Sequence, residues 1–206
     1  MIDVVIATRN RHKVRELSQL LALPGIRWHS LTEFPTLPPV RENGATFDAN
    51  AVKKARAVAR ATGWLALADD SGIEVQALGW GPGVRSARFA GRHGDDAANN
   101  RKLLRQLQGL SAGQRRARYR CSLALASPSR LVALTRGTWH GRIATRPQGQ
   151  RGFGYDPIVL IPALGHTVAQ LPAATKQRLS HRAQAARRMR LVLTPLIKQA
   201  LQEING

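Results

Sequence analysis

The start of the chain alternates a short apolar strand with an amphipathic helix, and this alternation limits the possible folds more than any other feature. Residues 2–7 are mostly apolar and β-branched, and a polar turn follows them. Val14, Leu17 and Leu21 then recur at the spacing of one helical face. A strand, a polar turn and a helix in this order are typical of the first part of an α/β sheet. We therefore expect an α/β fold.

The rest of the chain continues the same alternation. We predict further strands at 26–31, 65–69, 73–75, 116–126, 130–143 and 158–161, and helices at 46–62, at 95–108 and from Ser180 onwards. The two long strands should pair around the turn at 127–129, and their alternating arginines indicate one solvated face. Thr194-Pro195 predicts a break or a kink in the last helix. The glycine-rich segment 79–91 predicts a long irregular loop, of the kind that usually carries function.

Composition indicates a globular protein of ordinary size. The 206 residues suit a single domain, 1–206, or two lobes that share one core. The single cysteine, Cys121, excludes a disulfide framework and predicts a reducing, cytoplasmic setting. No stretch reaches membrane-spanning length, so we expect no membrane partner.

Basic residues dominate the charge. The chain has 32 Lys+Arg against 12 Asp+Glu, a formal net charge of +20. Such a field attracts polyanions, whether nucleic acid, anionic lipid or nucleotide phosphates, without choosing among them. A compositional bias explains the scattered arginines equally well, because only four Trp, four Phe and two Tyr offer rings on which bases could stack.

One apolar run stops at two adjacent carboxylates. Residues 66–68 are followed by Asp69, Asp70, Ser71 and Gly72. A strand that ends in acidic residues at the rim of a sheet can hold a divalent cation and a polarised water, which suits phosphate chemistry. The competing interpretation is a strand that ends in an Asp-initiated turn.

Two lysines are candidates for contacts with phosphate. Lys13 and Asn10 lie where the first helix begins, and the unpaired amides of a helix start attract anions. Asn10 could equally be a simple helix cap. Lys54 falls in the apolar stripe of the second helix, where a charge needs an anion, although its stem could also snorkel past small alanines. Glu42 lies in a proline-rich loop without a local partner that explains it.

The loop at 149–157 carries two aromatic residues between glycines. Phe153 is flanked by Gly152 and Gly154, and Tyr155 follows directly. Glycine neighbours do not hold a ring in a packed layer, so we interpret both rings as a face for a flat ligand.

Taken in chain order, six motifs resemble the Ham-type inosine/xanthosine triphosphate pyrophosphatase family. They span nearly the whole chain and comprise Thr8-x-Asn10-x-x-Lys13, Gly44-x-Thr46-Phe47-x-x-Asn50-Ala51-x-x-Lys54-Ala55, Ala68-Asp69-Asp70-Ser71-Gly72, Pro82-Gly83-Val84-x-Ser86-Ala87-Arg88-Phe89, Gly152-Phe153-Gly154-Tyr155-Asp156-Pro157 and Ser180-His181-Arg182. The resemblance implies a long mixed central sheet with flanking helices, two lobes around a substrate cleft, and a homodimer. It also implies a Mg²⁺-dependent enzyme that cuts ITP, dITP and XTP to the monophosphate and pyrophosphate, which cleans the nucleotide pool.

The resemblance implies roles for individual residues as well. Asp70 matches the catalytic base and, together with Glu42, the metal-binding positions, with Asp69 in support. The substrate-binding positions are matched by Thr8, Arg9, Asn10, Arg11, His12, Lys13, Lys54, Ser71, Phe153, Gly154, Tyr155, Asp156, Lys176, His181 and Arg182.

Selection of the base would depend on the last of these residues. Phe153 is expected to stack on the purine, and His181, Arg182 and Asp156 to contact its edge. A donor such as Arg182 pairs with the 6-carbonyl group of a deaminated purine and is left unsatisfied by the amino group of adenine.

Three positions depart from the family pattern. Ala49 stands where members usually carry a glutamate, so Asp48 would have to substitute for it, and Trp80 and Arg85 replace small or uncharged residues. Three alternatives stay open. They are a related pyrophosphatase of modified pyrimidine triphosphates, which shares the first loop pattern, a basic nucleic-acid-binding module, and a peripheral membrane protein. The last is the least favoured, because no helix pairs a basic face with bulky exposed apolar residues.

Overall fold

The structure, a computed structural model, describes residues 1–205, apart from the side chains of residues 200, 201 and 203–205. Its strands are β1 (Ile2–Ile6), β2 (Ile26–Ser30), β3 (Leu65–Val75), β4 (Gly81–Pro82), β5 (Arg116–Ala126), β6 (Leu131–Ile143), β7 (Val159–Ile161) and β8 (His166–Thr167). Its α-helices are α1 (Arg11–Leu20), α2 (Phe47–Thr62), α3 (Asp96–Gln106), α4 (Ala173–Leu179) and α5 (His181–Asn205).

The eight strands formed by the described residues belong to one mixed sheet. Their order is β2-β1-β3-β5-β6-β7-β8, and β4 pairs with β3. β1 lies parallel to β2 and β3, whereas β7 is antiparallel to both β6 and β8. The predicted α/β fold with a long mixed sheet and flanking helices is confirmed, and so is the predicted pairing of the two long strands.

The chain divides into two compact units. Unit 1 consists of Met1–Asp70, Cys121–Gly137 and Arg182–Gly206, and unit 2 consists of Ser71–Arg120 and Thr138–His181. Three long strands, β3, β5 and β6, contribute residues to both units.

Unit 1 buries β1 on both of its faces. Val4 and Ile6 belong to one hydrophobic cluster with α1 and α5, whereas Val5 and Ala7 belong to another with α2. A strand that is apolar on both faces is typical of the centre of an α/β sheet, because helices cover it above and below. The cluster on the α2 side is built largely from alanines, so little side-chain bulk separates this helix from the strands.

Unit 2 has a core of its own. Residues of β3, α3, β5 and β6 pack together in it, among them Ile73, Leu103 and Trp139. Tyr155 of the loop at 149–157, which we call the aromatic loop, belongs to the same core. Along β5 the buried Ala117 and Tyr119 alternate with more exposed arginines, as the period of a strand requires. The prediction of one solvated face is therefore confirmed for residues 116–120, but it is wrong for residues 121–126, which are all buried.

The acidic pair lies inside β3 and not at its end. The sequence predicted a strand that ended at residue 69, but β3 runs unbroken from Leu65 to Val75, so this prediction and the alternative of an Asp-initiated turn are both wrong. Gly72 is explained by close packing, because a Cβ atom there would lie only 2.4 Å from Ser86 Oγ. Residues that are typical of turns are thus held in an extended strand by their tertiary contacts.

The segment at 79–91 is more ordered than expected. It contains β4 and the 3₁₀ turn Gly83–Arg88. Ser86 is buried in it, and its Oγ accepts a hydrogen bond from the amide of Ile73 at 2.9 Å and donates to the carbonyl of Gly83 at 2.6 Å. The prediction of a long irregular loop is therefore wrong, since these bonds fasten the segment to β3.

The last helix continues through its proline. A break at Thr194-Pro195 is wrong, because α5 is uninterrupted there, whereas a kink stays a prediction. Proline removes the helical hydrogen bond to the carbonyl of Leu191, whose side chain is 77% exposed, so water can replace the lost donor on this side. None of the helices in the described part of the chain has the length and apolar character needed to span a bilayer.

Candidate active site

The two adjacent carboxylates of β3 are both buried. Asp69 is 0% exposed and Asp70 is 6% exposed. Successive side chains of a strand point to opposite faces of the sheet, so the two groups have different neighbours. Because a buried carboxylate is costly unless cations or donors compensate it, the partners of each group indicate its role.

Asp69 is the centre of an ion-pair cluster in unit 1. Its Oδ1 forms an ion pair with Lys13 of α1, and its Oδ2 accepts a hydrogen bond from Arg182 Nε of α5 at 3.0 Å and lies 3.2 Å from Cys121 Sγ. Burial alone would raise the pKa of Asp69, but the charges of Arg182 and Lys13 outweigh burial and hold that pKa well below its usual range. Asp69 is therefore a permanent anion and a poor proton acceptor.

Arg182 donates hydrogen bonds to two carboxylates of the same cluster. Its side chain is 2% exposed, and its Nη1 donates to Glu16 Oε2 of α1 at 2.5 Å in addition to the bond with Asp69. Burial would lower the pKa of Arg182, but the two carboxylates raise it well above its usual value. These bonds join α5 to α1 and β3. The expectation that Arg182 reads the purine edge stays a prediction.

Asp70 has the opposite electrostatic character. Burial raises the pKa of this carboxyl group, and the charges of Lys54 and Lys13 offset burial only in part. Its Oδ1 lies 3.7 Å from Lys54 Nζ, and its Oδ2 is buried without a well-formed hydrogen bond among the described atoms, although the nearby Asn50 side chain also lowers the pKa of Asp70. A carboxylate with a raised pKa and an unused acceptor atom is suited to take a proton or to bind a cation.

Lys54, a charged residue in the apolar stripe of α2, is paired with the carboxylates of Glu42 and Asp70. Its Nζ donates to the carbonyl oxygen of Asp69 at 2.6 Å and to Glu42 Oε1 at 3.0 Å, in addition to the contact with Asp70. The residue is 7% exposed, so the alternative of snorkelling to solvent is wrong. Lys54 is also the partner of Glu42 that local sequence did not reveal.

Glu42 and Asp70, the two residues expected to bind a metal, fit a Mg²⁺ site in which water and substrate phosphate would supply the other ligands. Glu42 and Asp70 both contact Lys54 Nζ, and the unpartnered Oδ2 of Asp70 supplies a hard oxygen ligand. Among the described residues no group of three or more His, Cys, Asp and Glu side chains is placed to hold a metal. Mg²⁺ commonly takes one or two carboxylates and completes its shell with water and substrate phosphate, so two carboxylates suffice.

The loop before α1 is organised by its own side chains. Asn10 Oδ1 accepts hydrogen bonds from the amides of His12 and Lys13 at 3.0 and 3.3 Å, so the interpretation of Asn10 as a helix cap is confirmed. Thr8 Oγ1 in turn accepts from the amide of Asn10 at 3.2 Å. Arg9, Asn10, Arg11 and His12 are exposed, while Thr8 and Lys13 are half-buried. Their contacts with a substrate stay predictions.

Asp48, which was expected to substitute for the missing glutamate, is hydrogen-bonded to side chains of β5 and β6. Its Oδ1 accepts from Ser122 Oγ at 2.6 Å, and its Oδ2 accepts from Arg136 Nε and Nη2 at 2.9 and 2.6 Å. Both oxygens thus serve to fasten the start of α2 to β5 and β6. The contacts of Asp48 give no support to the expectation that it assists a metal.

A second group of predicted residues meets in unit 2 around Asp156. This carboxylate is 3% exposed and accepts hydrogen bonds from Tyr119 Oη at 3.0 Å, from Lys176 Nζ at 2.6 Å and from the amide of Phe153 at 2.9 Å. Lys176 Nζ also lies 4.7 Å from the centre of the half-buried Phe153 ring. Asp156 therefore fixes a cation and an aromatic ring side by side.

Tyr155 and His181 are packed residues of the same unit. Tyr155 is 6% exposed in the core, and its hydroxyl donates to the carbonyl of Ser86 at 2.8 Å. The interpretation of its ring as a face for a flat ligand is therefore wrong, because the loop turns this ring inwards. The ring of His181 stacks on that of Tyr119, with the two ring centroids 4.7 Å apart. Ser71, in β3, is half-buried.

Two side chains of α3 hold the aromatic loop, and the sequence did not single them out. The amide of Gly154 donates to Asp96 Oδ2 at 2.6 Å, and Asn100 Nδ2 donates to the carbonyl of Gly154 at 3.0 Å. The i, i+4 spacing of Asp96 and Asn100 was the available signal. It indicates one helical face but gives no partner for it.

The fold and these contacts define a class of protein. An α/β sheet that carries a buried carboxylate of raised pKa, two lysines and a second carboxylate is typical of enzymes that handle phosphate groups, where control of charge is the main catalytic requirement.

The comparisons with known proteins then give the family. A model of the Ham1 family matches residues 4–192, so the chain belongs to the Ham1 family, and the resemblance stated from the six motifs is confirmed. A dITP/XTP pyrophosphatase of Geobacillus kaustophilus (strain HTA426) is 48% identical over 100% of this chain and 98% of its own length. One of Thioalkalivibrio sulfidiphilus (strain HL-EbGR7) is 50% identical over 90% of this chain and 95% of its own. The solved structure of a HAM1 protein from Coxiella burnetii is similar with a TM-score of 0.87 at 39% identity, covering 95% of this chain and 100% of that one.

Proposed function

We propose that this chain is a nucleoside triphosphate pyrophosphatase that hydrolyses ITP, dITP and XTP to the monophosphate and pyrophosphate. The relatives named dITP/XTP pyrophosphatase support this function, since they match at least 90% of the chain at 48% and 50% identity. The observation in the structure that carries the proposal is the buried Asp70, with its raised pKa, beside Lys54. The cellular role that follows is removal of deaminated purines from the nucleotide pool.

Asp70 is the proposed general base. Its raised pKa makes it a stronger proton acceptor than an exposed aspartate, and the charge of Lys54 at 3.7 Å favours its ionised form. A water attacks the α-phosphorus and gives its proton to Asp70. The bond from the α-phosphorus to the oxygen that bridges to the β-phosphate breaks, and pyrophosphate leaves with that oxygen.

The balance of charge around Asp70 supports a divalent cation. Three cationic side chains of unit 1, Lys13, Lys54 and Arg182, are joined to four carboxylates, Glu16, Glu42, Asp69 and Asp70. A nucleoside triphosphate brings about four further negative charges, which these cations do not balance. We propose that Glu42 and Asp70 hold Mg²⁺. Such an ion, when bound, neutralises phosphate charge in the transition state.

Recognition of the base is proposed for unit 2. Phe153 offers a half-buried ring beside Lys176, which supports its predicted role in stacking on a purine. Asp156 already accepts three hydrogen bonds, so we assign it to holding this arrangement. Contact of His181 with the edge of the base stays a prediction.

The experiment that tests the function is a measurement of pyrophosphate release from ITP, XTP, dITP, ATP and GTP, with and without Mg²⁺. We expect pyrophosphate, and no orthophosphate, from the three deaminated purine nucleotides, and we expect the reaction to require the metal. Equal turnover of ATP and ITP contradicts the proposed specificity. A modified pyrimidine triphosphate belongs in the same panel, because preference for it would favour the alternative substrate class.

Two further predictions from the resemblance belong with this function. We propose that the enzyme acts in the cytoplasm, where nucleotide pools are kept, and that it forms a homodimer. Light scattering of the purified protein measures the oligomeric state, and a monomer at working concentration contradicts the second proposal.

A further inference from the structure

Unit 2 contains a clamp on Gly154 to which no role has been assigned. We define the Gly154 clamp as Asp96 and Asn100, which lie one turn apart on α3 and so share a helical face. The amide of Gly154 donates to Asp96 Oδ2 at 2.6 Å, and Asn100 Nδ2 donates to the carbonyl of Gly154 at 3.0 Å. One helix therefore holds both polar groups of a single loop residue.

Asn100 is a costly choice if packing alone is its purpose. Its side chain is 8% exposed, and its Oδ1 is buried with no hydrogen-bond partner among the described atoms. A buried acceptor that makes no hydrogen bond carries a desolvation cost, which an apolar side chain of similar size would avoid. The hydrogen bond from the Asn100 Nδ2 group to the carbonyl of Gly154 offsets that cost.

The clamp fixes the conformation on which the position of Phe153 depends. Gly154 has φ = +64°, in the left-handed region where glycine is favoured. On one side of Gly154, the backbone amide of Phe153 donates a hydrogen bond to Asp156 Oδ2, and the Phe153 ring lies beside Lys176. On the other side, Tyr155 enters the core. A change in the peptide planes at Gly154 would rotate the Phe153 ring relative to Tyr155, which is fixed in the core.

We propose that Asp96 and Asn100 are positioning residues for the purine base of the substrate. They hold Gly154, and through it Phe153, in the orientation at which a flat base stacks on the ring. This inference rests on the proposed function. Because the loop is ordered before the substrate binds, the clamp improves binding and hence KM, while the chemical step at the phosphates does not depend on it.

The test compares Asp96→Ala and Asn100→Ala with the conservative Asp96→Asn. Each alanine variant loses a bond to Gly154, so we expect KM for ITP to rise roughly ten-fold while kcat stays within about two-fold of the parent. Asp96→Asn keeps an oxygen that can accept from the Gly154 amide, so we expect it to restore KM to near the parental value.

Asp95→Ala is the matched control. Asp95 Oδ1 accepts from the amide of Ala98 at 2.9 Å and caps the same helix, so this hydrogen bond stays within α3. We expect this variant to melt at a lower temperature and to keep the parental KM. A rise in KM for Asp95→Ala equal to that for Asp96→Ala would reduce the effect to helix stability and overturn the proposal.

Hydrogen exchange of the peptide that spans residues 149–157 gives a readout that needs no catalysis. We expect faster exchange in both alanine variants than in the parent and in Asp96→Asn, because the loop amides are less protected. Unchanged exchange, or an unchanged KM in an active enzyme, overturns the proposed role of the clamp. A parent protein that releases no pyrophosphate from ITP overturns the proposed function instead, and the exchange result then shows separately whether the clamp orders the loop.

Discussion

Two neighbouring aspartates in one strand have opposite tasks, and the difference lies in their partners. Asp69 is surrounded by Lys13, Arg182 and a thiol, which stabilise its ionised form. Asp70 has Lys54 at 3.7 Å and an oxygen without a partner, so burial dominates its environment. The first residue therefore organises the structure, and the second is available for chemistry.

Replacing Asp70 by asparagine should remove activity without loss of stability. The raised pKa means that the folded state favours the protonated form of Asp70, and the stability which that form provides is lost as the pH rises through the folded-state pKa. A neutral amide avoids the cost of holding a buried negative charge at this position. We expect Asp70→Asn to lower the rate of pyrophosphate release at least 100-fold, the usual contribution of a general base being about 10²–10⁴. Its melting temperature in a chelator should equal or exceed that of the parent.

Replacing Asp69 by asparagine should have the reverse pattern in stability. The lowered pKa of Asp69 means that its contribution is present above the ordinary aspartate pKa and is lost as the pH falls. Removing one partner of a buried ion pair costs roughly 3–5 kcal/mol, here because Lys13 and Arg182 are left with too few anions. Urea unfolding at neutral pH measures this loss. Asp96→Asn, which changes an exposed carboxylate, is the control and should lose far less.

His29 should make the stability of unit 1 depend on pH. Its Nε2 lies 2.8 Å from Asp3 Oδ1 and its Nδ1 lies 2.8 Å from Glu33 Oε2. The hydrogen bonds to Asp3 and then to Glu33 raise the pKa of His29, so its contribution is fully present below the ordinary histidine pKa of about 6.5 and is lost as the pH rises through the folded-state value.

The prediction for His29 is checked with His29→Gln. The free energy of unfolding of the parent should exceed that of the variant by more in mildly acidic than in alkaline buffer. A difference that is independent of pH would show that His29 contributes by packing against Trp64 and not by its charge.

At the scale of elements, β3 shows that close packing can override local signals for a turn. Asp-Asp-Ser-Gly is a common turn composition, yet the strand continues, because Gly72 lies directly against the 3₁₀ turn Gly83–Arg88. A Cβ atom at Gly72 would lie 2.4 Å from Ser86 Oγ and 2.7 Å from the carbonyl of Gly83. The strand therefore needs glycine for space and not for backbone freedom.

Gly72→Ala should destabilise the protein by roughly 1–3 kcal/mol, the usual cost of overpacking a tight contact. We also expect lower activity, because β3 carries Asp70 two residues earlier. Chemical unfolding and pyrophosphate release measure the two effects. Gly113→Ala is the matched control, since a Cβ atom there has no neighbour within 4 Å and should change neither. Equal stability of the two alanine variants contradicts the packing argument.

Local patterns predicted those elements whose cause is local. The helix cap of Asn10, the apolar stripe of α2 and the alternation of β5 depend on residues a few positions apart, and all were predictable. Lys54 was recognisable as a cation that needed an anion, although not as the partner of Glu42. The continuation of β3 depends on contact between Gly72 and Ser86, and the inward turn of Tyr155 depends on its hydrogen bond to Ser86. Both contacts join residues that are far apart in the sequence. Such contacts leave no local pattern.

For the molecule as a whole, the motifs carried the identification, and the structure adds which contacts their residues make within the protein. Asp156 and Arg182 were expected at the substrate, and both are committed to networks of the protein's own side chains. Asp96 and Asn100 belong to none of the six motifs, yet they hold the loop that carries Phe153. A motif thus marks a functional region more reliably than it assigns the task of each residue in it.

The central claim is that Asp70 activates water in an enzyme that selects deaminated purine nucleotides. Its most direct test is the release of pyrophosphate from ITP and from ATP by the parent and by Asp70→Asn under the same conditions with Mg²⁺. We expect rapid release from ITP, slow release from ATP, and almost none from either nucleotide with the folded Asp70→Asn variant. Near-parental release of pyrophosphate from ITP by that variant would contradict this claim.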